Sequence, residues 1–188
     1  MIQTAFILID IQNDYFPGGA MECQSSHDAG RNAALLLAYA RDQHMIPVHI
    51  RHISIRPNAT FFLPGTRGSE ISDLVSPATG EKIIIKHYPN SFRETDLAEY
   101  LHAMHVQTLV IAGMMSHMCI DATVRAAADL GFSCILVHDA CATRDLVFRD
   151  MTVPARMVHA AFMSSLSGLY ATVVSTKEVI SGEVSFRT

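Results

Sequence analysis

Three functional groups of the sequence stand at or just beyond apolar runs that have the composition of β-strands. Asp10 follows the first such run, Lys86 closes the third, and Cys119 comes shortly after the fourth. Parallel strands place their carboxyl ends at one edge of a sheet, where ligands bind, so we expect the three side chains to meet there. Taken singly, Asp10 could cap a turn, Lys86 could be a solvated strand end, and Cys119 could be a small buried hydrophobe. Their joint placement favours a functional site.

An aspartate, a lysine and a cysteine together suit nucleophilic acyl transfer. A thiol is a weak nucleophile at its ordinary pKa of about 8.5 and has to be activated. A helix start and a nearby ammonium both favour the thiolate, which is the role expected of Lys86. Asp10 can accept the proton of the Cys119 thiol and later return it to a leaving amine. Free backbone N–H groups at the helix start can bind the oxyanion.

The elements that have to position these groups alternate between strands and helices. The predicted strands are residues 5–9, 46–53, 82–86, 108–112, 133–137 and 171–174. The predicted helices are 28–44 with Asp28 as its cap, 95–103, 118–130, 153–166 and a short one capped by Ser175. This alternation is typical of an α/β fold with a six-stranded parallel sheet and helices on both faces. Residues 54–80 form a long insertion without a clear period, a kind of segment usually kept for function.

Composition and charge are those of an ordinary globular protein. The 188 residues are 49% hydrophobic and 17% charged, so we expect a single domain over residues 1–188. A net charge of −4 gives no reason to expect a nucleic-acid partner, and no apolar run reaches the roughly 20 residues of a membrane span. The opening residues lack the basic region of a signal peptide, and the four cysteines lack a short paired spacing. We therefore expect a cytoplasmic location.

Three longer segments resemble one known family. The opening FILIDIQNDYFPGGAM, the central KHYPNSFRETDL and the later VIAGMMSHMCIDATVRAAADLGF are similar to the isochorismatase-like cysteine hydrolases, which include nicotinamidases and other small amidases. The resemblance runs through nearly the whole chain. It implies a three-layer Rossmann-like fold with strand order 3-2-1-4-5-6 and a catalytic triad at Asp10, Lys86 and Cys119. It also implies a small-molecule amide as substrate and a homodimer or homotetramer as assembly.

The resemblance also implies a non-proline cis peptide bond before the nucleophile. This bond maps onto Met114-Met115 and would turn a backbone N–H toward the substrate carbonyl. Met115 and Cys119 are therefore the expected oxyanion donors, with Met114 next to them.

Histidines near the triad raise the question of a metal. Nicotinamidases carry an Asp-x-His pair after the second strand, whereas this chain reads RHIS there. His52 and His87 could still form part of a site, but two scattered histidines are more often polar contacts. We expect no metal and no other cofactor. His117 precedes Cys119 by two residues and suggests a Cys/His dyad, although a turn there is expected to point the ring aside or along the pocket wall.

A few further residues are candidates for the substrate pocket. Phe16, Tyr88 and Phe92 follow strand ends and could line an apolar pocket, although each could equally belong to the core. Within the insertion, residues 64–66 and Glu70 could close over the site or form a plain surface loop. Which amide is the substrate does not follow from these residues.

Two other classes of function fit the same architecture. A nucleotide-binding oxidoreductase would need a glycine fingerprint after the first strand, and IDIQNDYFPGGA contains none. A thiol-sensing or binding protein would use Cys119 for reversible oxidation without turnover. Because a sensor thiol needs no general base, Asp10 and Lys86 favour catalysis. Family members that cleave isochorismate lack the cysteine, so Cys119 argues against that reaction.

Overall fold

A six-stranded parallel sheet forms the centre of the protein in a computed structural model, which describes residues 3–184. The strands, in chain order, are β1 Gln3–Ile9, β2 Ile46–His52, β3 Lys82–Lys86, β4 Val106–Met114, β5 Ser133–Ala142, β6 Leu146–Phe148, β7 Met151–Val153 and β8 Thr172–Val174. The order in the sheet is β3-β2-β1-β4-β5-β8. Because β8 is the sixth strand of this sheet along the chain, the predicted α/β fold and its strand order are confirmed.

Helices cover both faces of the sheet. They are α1 Ser26–Asp42, α2 Leu97–Ala103, α3 Asp121–Asp129, α4 Ala155–Leu166 and α5 Thr176–Ile180. A π-helical turn, Ser116–Ile120, leads into α3. Helix α1 begins before the predicted cap Asp28, so that residue lies inside its first turn. Within residues 3–184, no helix has both the length and the apolar character that crossing a membrane requires.

The alternation of side chains along β1 divides the core into two layers. Ala5, Ile7 and Ile9 pack on the side of α2, α3 and α4, whereas Phe6 and Leu8 pack on the side of α1 and α5. These β1 residues are all at most 2% exposed. A strand buried on both faces reads as a continuous apolar run, which explains why β1 shows no alternation in the sequence.

The same period of two places Lys86 on the inner side of the sheet edge. Ile84 and Lys86 share the buried face of β3, while Ile83 and Ile85 are 45% and 54% exposed on the other face. The side chain of Lys86 therefore points along the carboxyl edge of the sheet toward the end of β1 rather than into solvent.

Close approach of β1 and β4 depends on a glycine. Gly113 has a φ of +136°, and a Cβ there would collide with the backbone of Ile9. Just beyond it, the peptide bond Met114-Met115 is cis, as predicted. Glycine at this position thus lets the chain after β4 lie directly beside Asp10.

Two features differ from the sequence prediction. Strand β5 continues to Ala142 because a bulge shifts its register against β4 between Ile111 and Gly113. Strands β6 and β7 form an antiparallel hairpin that the sequence did not predict. Val147 and Phe148 in this hairpin are 72% and 65% exposed, so no buried face gives the short strands a recognisable pattern.

Candidate active site

The carboxyl edge of the sheet brings together the side chains of Asp10, Lys86 and Cys119. Asp10 and Lys86 are fully buried, and Cys119 is 3% exposed. Lys86 Nζ lies 2.9 Å from Asp10 Oδ2 and donates a hydrogen bond of 2.8 Å to the carbonyl of Pro89. The Cys119 thiol lies within 4.8 Å of an Asp10 carboxylate oxygen. A thiol, a carboxylate and an ammonium thus share a small volume that is shielded from bulk water.

Local backbone geometry holds the aspartate and the cysteine in place. Asp10 adopts a left-handed conformation with φ 52°, which aspartate tolerates better than most residues. Its N–H donates to the carbonyl of Ile50 at 3.0 Å. Cys119 lies in the π-helical turn, where the N–H groups of Met118 and Ile120 both donate to the carbonyl of Met115. The strand end and the turn therefore hold Asp10 and Cys119 independently of each other.

Burial dominates the electrostatics of the thiol. Desolvation raises the pKa of the Cys119 thiol well above its ordinary value, and the Asp10 carboxylate raises it further. The Lys86 ammonium acts in the opposite direction but does not outweigh them. Lys86 thus favours the thiolate, as the sequence interpretation expected, but burial outweighs this effect, and the Cys119 thiol is protonated beside the Asp10 carboxylate.

The lysine stays charged despite its burial. Burial by itself lowers the pKa of Lys86, but the adjacent Asp10 carboxylate outweighs this effect, so that the pKa lies above its ordinary value. Lys86 and Asp10 therefore form a buried ion pair in the resting protein.

A buried hydroxyl pair connects the lysine to the helix that follows the cysteine. Thr123 of α3 lies 2.9 Å from the hydroxyl of Ser91, accepts the Ser91 N–H at 3.1 Å, and donates to the carbonyl of Pro89 at 3.4 Å. That carbonyl is also the acceptor of Lys86. The loop behind Lys86 is thereby tied to α3, four residues beyond Cys119.

A cavity of about 400 Å³ opens onto Cys119. Its wall combines the loop after β1, the ends of β2 and β3, the turn after β4 and part of the insertion. The lining residues are Tyr15, His52, Ile55, Arg56, Pro57, Phe61, His87, Tyr88, Pro89, Met115, Met118 and Cys119. A cavity of this size suits a small molecule.

The insertion contributes to the cavity through residues 55–61 rather than through residues 64–66 or Glu70. Asp14 anchors it, because the N–H of Phe62 donates to the buried Asp14 carboxylate at 2.6 Å. The rings of Tyr15 and Phe62 lie 4.7 Å apart, and those of Phe61 and Phe62 lie 5.0 Å apart. Sequence reasoning missed Tyr15 and Phe61, although an aromatic pair inside an irregular insertion was an available signal.

The predicted pocket residues divide into two groups. Met115 and Tyr88 line the cavity. Met114 is fully buried in an apolar cluster with Phe62 and does not face the cavity.

Phe16 and Phe92, which the sequence left open between pocket and core, pack against the core and do not line the cavity. Phe16 packs against the backbone of Gly30 in α1, and Phe92 stacks on Phe132 with ring centroids 6.0 Å apart. Both rings therefore fill the helix layers, since following a strand end does not decide to which side a ring turns.

His117 points away from the cavity. Its Nδ1 lies 2.6 Å from the hydroxyl of Thr143, and its ring meets Phe162 edge-on at 6.1 Å. It is not among the residues that line the cavity. The candidate role of His117 at the substrate, and with it the Cys/His dyad, is therefore not supported by the geometry.

Two other histidines do line the cavity. His52 Nδ1 lies 3.9 Å from Asp10 Oδ2, and burial lowers the pKa of His52 to about 4, so the ring is neutral at neutral pH. The backbone of His52 is held on both sides by the buried side-chain amide of Gln12. His87 Nδ1 lies 2.8 Å from the carbonyl of Ile53 and donates to it. The backbone of His52 and the ring of His87 are thus held in the wall by hydrogen bonds.

Asp10, His52 and Cys119 place potential metal-ligand atoms within 4.8 Å of one another. The ammonium of Lys86, however, lies 2.9 Å from the same Asp10 carboxylate. A divalent cation bound there would be repelled by that buried charge. The arrangement therefore fits an ion pair with a thiol better than it fits a metal centre.

Comparison with known proteins identifies the family. The model of the Isochorismatase domain matches residues 4–178. The chain belongs to the isochorismatase family. The isochorismatase family protein YddQ of Bacillus subtilis strain 168, whose function is uncharacterized, is 50% identical over 174 residues, which cover 93% of this chain and 97% of that protein. The predicted family and the predicted class of isochorismatase-like hydrolase are confirmed.

A solved structure and a named amidase extend the comparison. A crystal structure from Oleispira antarctica, assigned to the isochorismatase hydrolases, superposes with a TM-score of 0.92 at 49% identity, covering 96% of this chain and 97% of that chain. The maleamate amidohydrolase of Pseudomonas putida is 31% identical over 156 residues, which cover 76% of this isochorismatase-family chain and 73% of that enzyme.

Proposed function

We propose that this isochorismatase-family protein is a cysteine hydrolase that cleaves the C–N bond of a small amide through a thioester. The observation that carries the proposal is the buried group of Asp10, Lys86 and Cys119 at the end of a cavity of about 400 Å³. The name of the amidohydrolase relative supports the same class of reaction.

The first half of the reaction uses the neutral thiol and its neighbouring base. As the sulfur of Cys119 attacks the amide carbonyl carbon, the thiol proton passes to the Asp10 carboxylate. The backbone N–H groups of Met115 and Cys119 are the proposed donors to the resulting oxyanion. Asp10 then returns the proton to the nitrogen, the C–N bond breaks, and the amine or ammonia leaves a thioester on Cys119.

The second half repeats these steps with water. Asp10 takes a proton from a water molecule, whose oxygen attacks the thioester carbonyl, and the C–S bond breaks as the proton returns to sulfur. The products are a carboxylic acid and the amine or ammonia. Lys86 keeps a positive charge next to both Asp10 and Cys119, so it stabilises the thiolate character that develops in each step.

A thiol-sensing role is less consistent with the site. A sensor thiol is accessible and has a low pKa, because the thiolate is the form that oxidants attack. Cys119 is 3% exposed and burial raises the pKa of its thiol. These properties favour a nucleophile that is deprotonated only when the substrate carbonyl is in place.

Location and assembly remain proposals. Cys23, Cys119, Cys134 and Cys141 are all free thiols. A nucleophilic thiol has to stay reduced, which supports the cytoplasm as the place of action. A homodimer or homotetramer stays the expected assembly, and sedimentation velocity would measure it.

Ammonia release from a panel of small carboxamides and ureido compounds tests the proposed function. We expect Cys119→Ala to lose several orders of magnitude in rate, because the nucleophile is gone. The matched control is Cys134→Ala, which removes another buried thiol, outside the cavity. If Cys119→Ala retains turnover within tenfold of the parent while its circular dichroism is unchanged, Cys119 is not the nucleophile.

A further inference from the structure

The wall of the active-site cavity carries a guanidinium but no carboxylate. Arg56, in the insertion, lines the cavity together with His52, His87 and Cys119. Among the described residues that line the cavity, none is an aspartate or glutamate. Asp10 lies behind Cys119 and is paired with Lys86.

The charge of Arg56 is not neutralised by the protein. Within residues 3–184, no carboxylate oxygen lies within 4.0 Å of its side-chain nitrogens. By contrast, Arg41 is held by both oxygens of Glu81 at 2.7 and 2.9 Å, and Arg125 by Asp121 at 2.9 Å. The carbonyl of Arg56 accepts the N–H of Ala59, which forms a turn at the cavity wall.

The remaining charges around the cavity leave it positive. The ion pair of Asp10 and Lys86 cancels, and His52 is neutral because burial lowers its pKa to about 4. The guanidinium of Arg93 lies 3.7 Å from the ring centroid of the lining residue Tyr88, but it is paired with Glu94 at 3.6 Å, so the excess positive charge of the wall is that of Arg56. This positive wall belongs to a chain whose net charge is −4, so it is a local feature of the site.

We propose that the substrate is a small amide that also carries a carboxylate, and that Arg56 binds this carboxylate while Cys119 attacks the amide carbonyl. This inference rests on the proposed function and names its substrate class. A guanidinium presents two parallel N–H donors that match the two oxygens of a carboxylate. Apolar wall residues such as Phe61 and Met118 would contact the carbon chain between the two ends.

Alkylation of Cys119 by two nearly isosteric reagents tests the anion site without any substrate. Iodoacetate is an anion and iodoacetamide is neutral, and with both the thiol sulfur displaces iodide. Peptide mapping gives the rate constant at Cys119 for each reagent, and N-acetylcysteine gives the ratio for a free thiol. Because a change in thiol pKa affects both reagents alike, their ratio isolates the charge preference of the cavity.

We expect the ratio of iodoacetate to iodoacetamide rates to exceed that of the free thiol. Arg56→Gln should lower the ratio about three- to tenfold, the range expected when one partly solvated charge is removed. Arg149→Gln is the matched control, since Arg149 lies between β6 and β7 and does not line the cavity. An unchanged ratio in Arg56→Gln would overturn the inference.

A pair of amides then separates this inference from the proposed function. Succinamic acid carries one carboxylate, whereas succinamide is neutral and almost the same size. We expect a higher kcat/KM for succinamic acid and loss of that preference in Arg56→Gln. Equal ammonia release from both amides by both proteins would refute the anion site and leave amide hydrolysis standing. An Arg56-dependent alkylation ratio with no ammonia from any amide would refute hydrolysis and leave the anion site standing.

Discussion

Removal of the buried ammonium should destabilise the protein much more than removal of a surface one. Lys86 Nζ and Asp10 Oδ2 are 2.9 Å apart and both side chains are 0% exposed. With an effective dielectric constant of about 20, Coulomb's law gives about 6 kcal/mol for such a pair, which is a ceiling on its loss. We expect Lys86→Met to lower the free energy of unfolding by about 3–5 kcal/mol, because it leaves a buried carboxylate without a counter-ion.

A second pair in the same strand provides the control. Lys82 Nζ lies 2.6 Å from Asp96 Oδ2, but their side chains are 29% and 55% exposed. Lys82→Met should therefore cost no more than about 1 kcal/mol. Urea unfolding followed by circular dichroism measures both variants, and the fitted m-values check that each transition is comparable.

A double variant shows whether the cost comes from the unpaired charge. Asp10→Asn combined with Lys86→Met removes both charges, so we expect it to be at least about 2 kcal/mol more stable than Lys86→Met alone. Two results would contradict the buried ion pair. One is a loss of unfolding free energy in the double variant that equals the sum of the losses in Asp10→Asn and Lys86→Met. The other is a loss in Lys86→Met that is no larger than the loss in Lys82→Met.

Three further outcomes follow from the site. Because burial raises the pKa of the Cys119 thiol, the rate of its alkylation should still be rising at about pH 10. Lys86→Met should move this pH profile to still higher pH, because the lysine lowers the thiol pKa. A rate that reaches its plateau below about pH 9 would contradict this prediction. Turnover should survive exhaustive dialysis against a chelator, whereas loss of activity that one divalent ion restores would assign ligand roles to His52 and His87. Thr123→Val should lower kcat about tenfold with little change in KM. The substitution releases the loop that carries the Pro89 carbonyl, which accepts the hydrogen bond of the Lys86 ammonium. An unchanged kcat in steady-state kinetics would rule out this positioning role.

Strand ends were the most predictable part of the molecule. The apolar runs before Asp10 and up to Lys86 indicated buried strands, and parallel topology puts their carboxyl ends at one edge. A period-two pattern also decides the side to which Lys86 points, because Ile84 precedes it by two residues on the buried face. The strand order came from the resemblance to a family rather than from the pattern.

The cavity wall was much less predictable. Phe16 and Phe92 follow strand ends as Tyr88 does, yet only Tyr88 lines the cavity, because the direction of a loop side chain depends on tertiary packing. Residues 55–61 enter the wall because Asp14 binds the N–H of Phe62, 48 positions away in sequence. No local periodicity encodes such a contact. That residues 1–188 form a single domain stays a prediction, since the structure describes residues 3–184.

The pKa of Cys119 shows a further limit of sequence reasoning. The sequence correctly suggested a cation near the thiol, but it could not weigh that cation against burial. Desolvation has the larger effect, so the resting thiol is protonated. The sequence suggested Asp10 as the acceptor of the thiol proton, but only the three-dimensional arrangement shows how strongly burial holds that proton on Cys119.

Trapping the covalent intermediate tests the central claim most directly. An amide that is turned over in the ammonia assay is mixed with the protein, quenched in acid within one turnover, and analysed by intact mass and peptide mapping. We predict a mass increase equal to the acyl group of the substrate on the peptide that contains Cys119, present in Cys134→Ala and absent in Cys119→Ala. Turnover with the acyl group on another residue, or turnover by Cys119→Ala at the parent rate, would contradict the account.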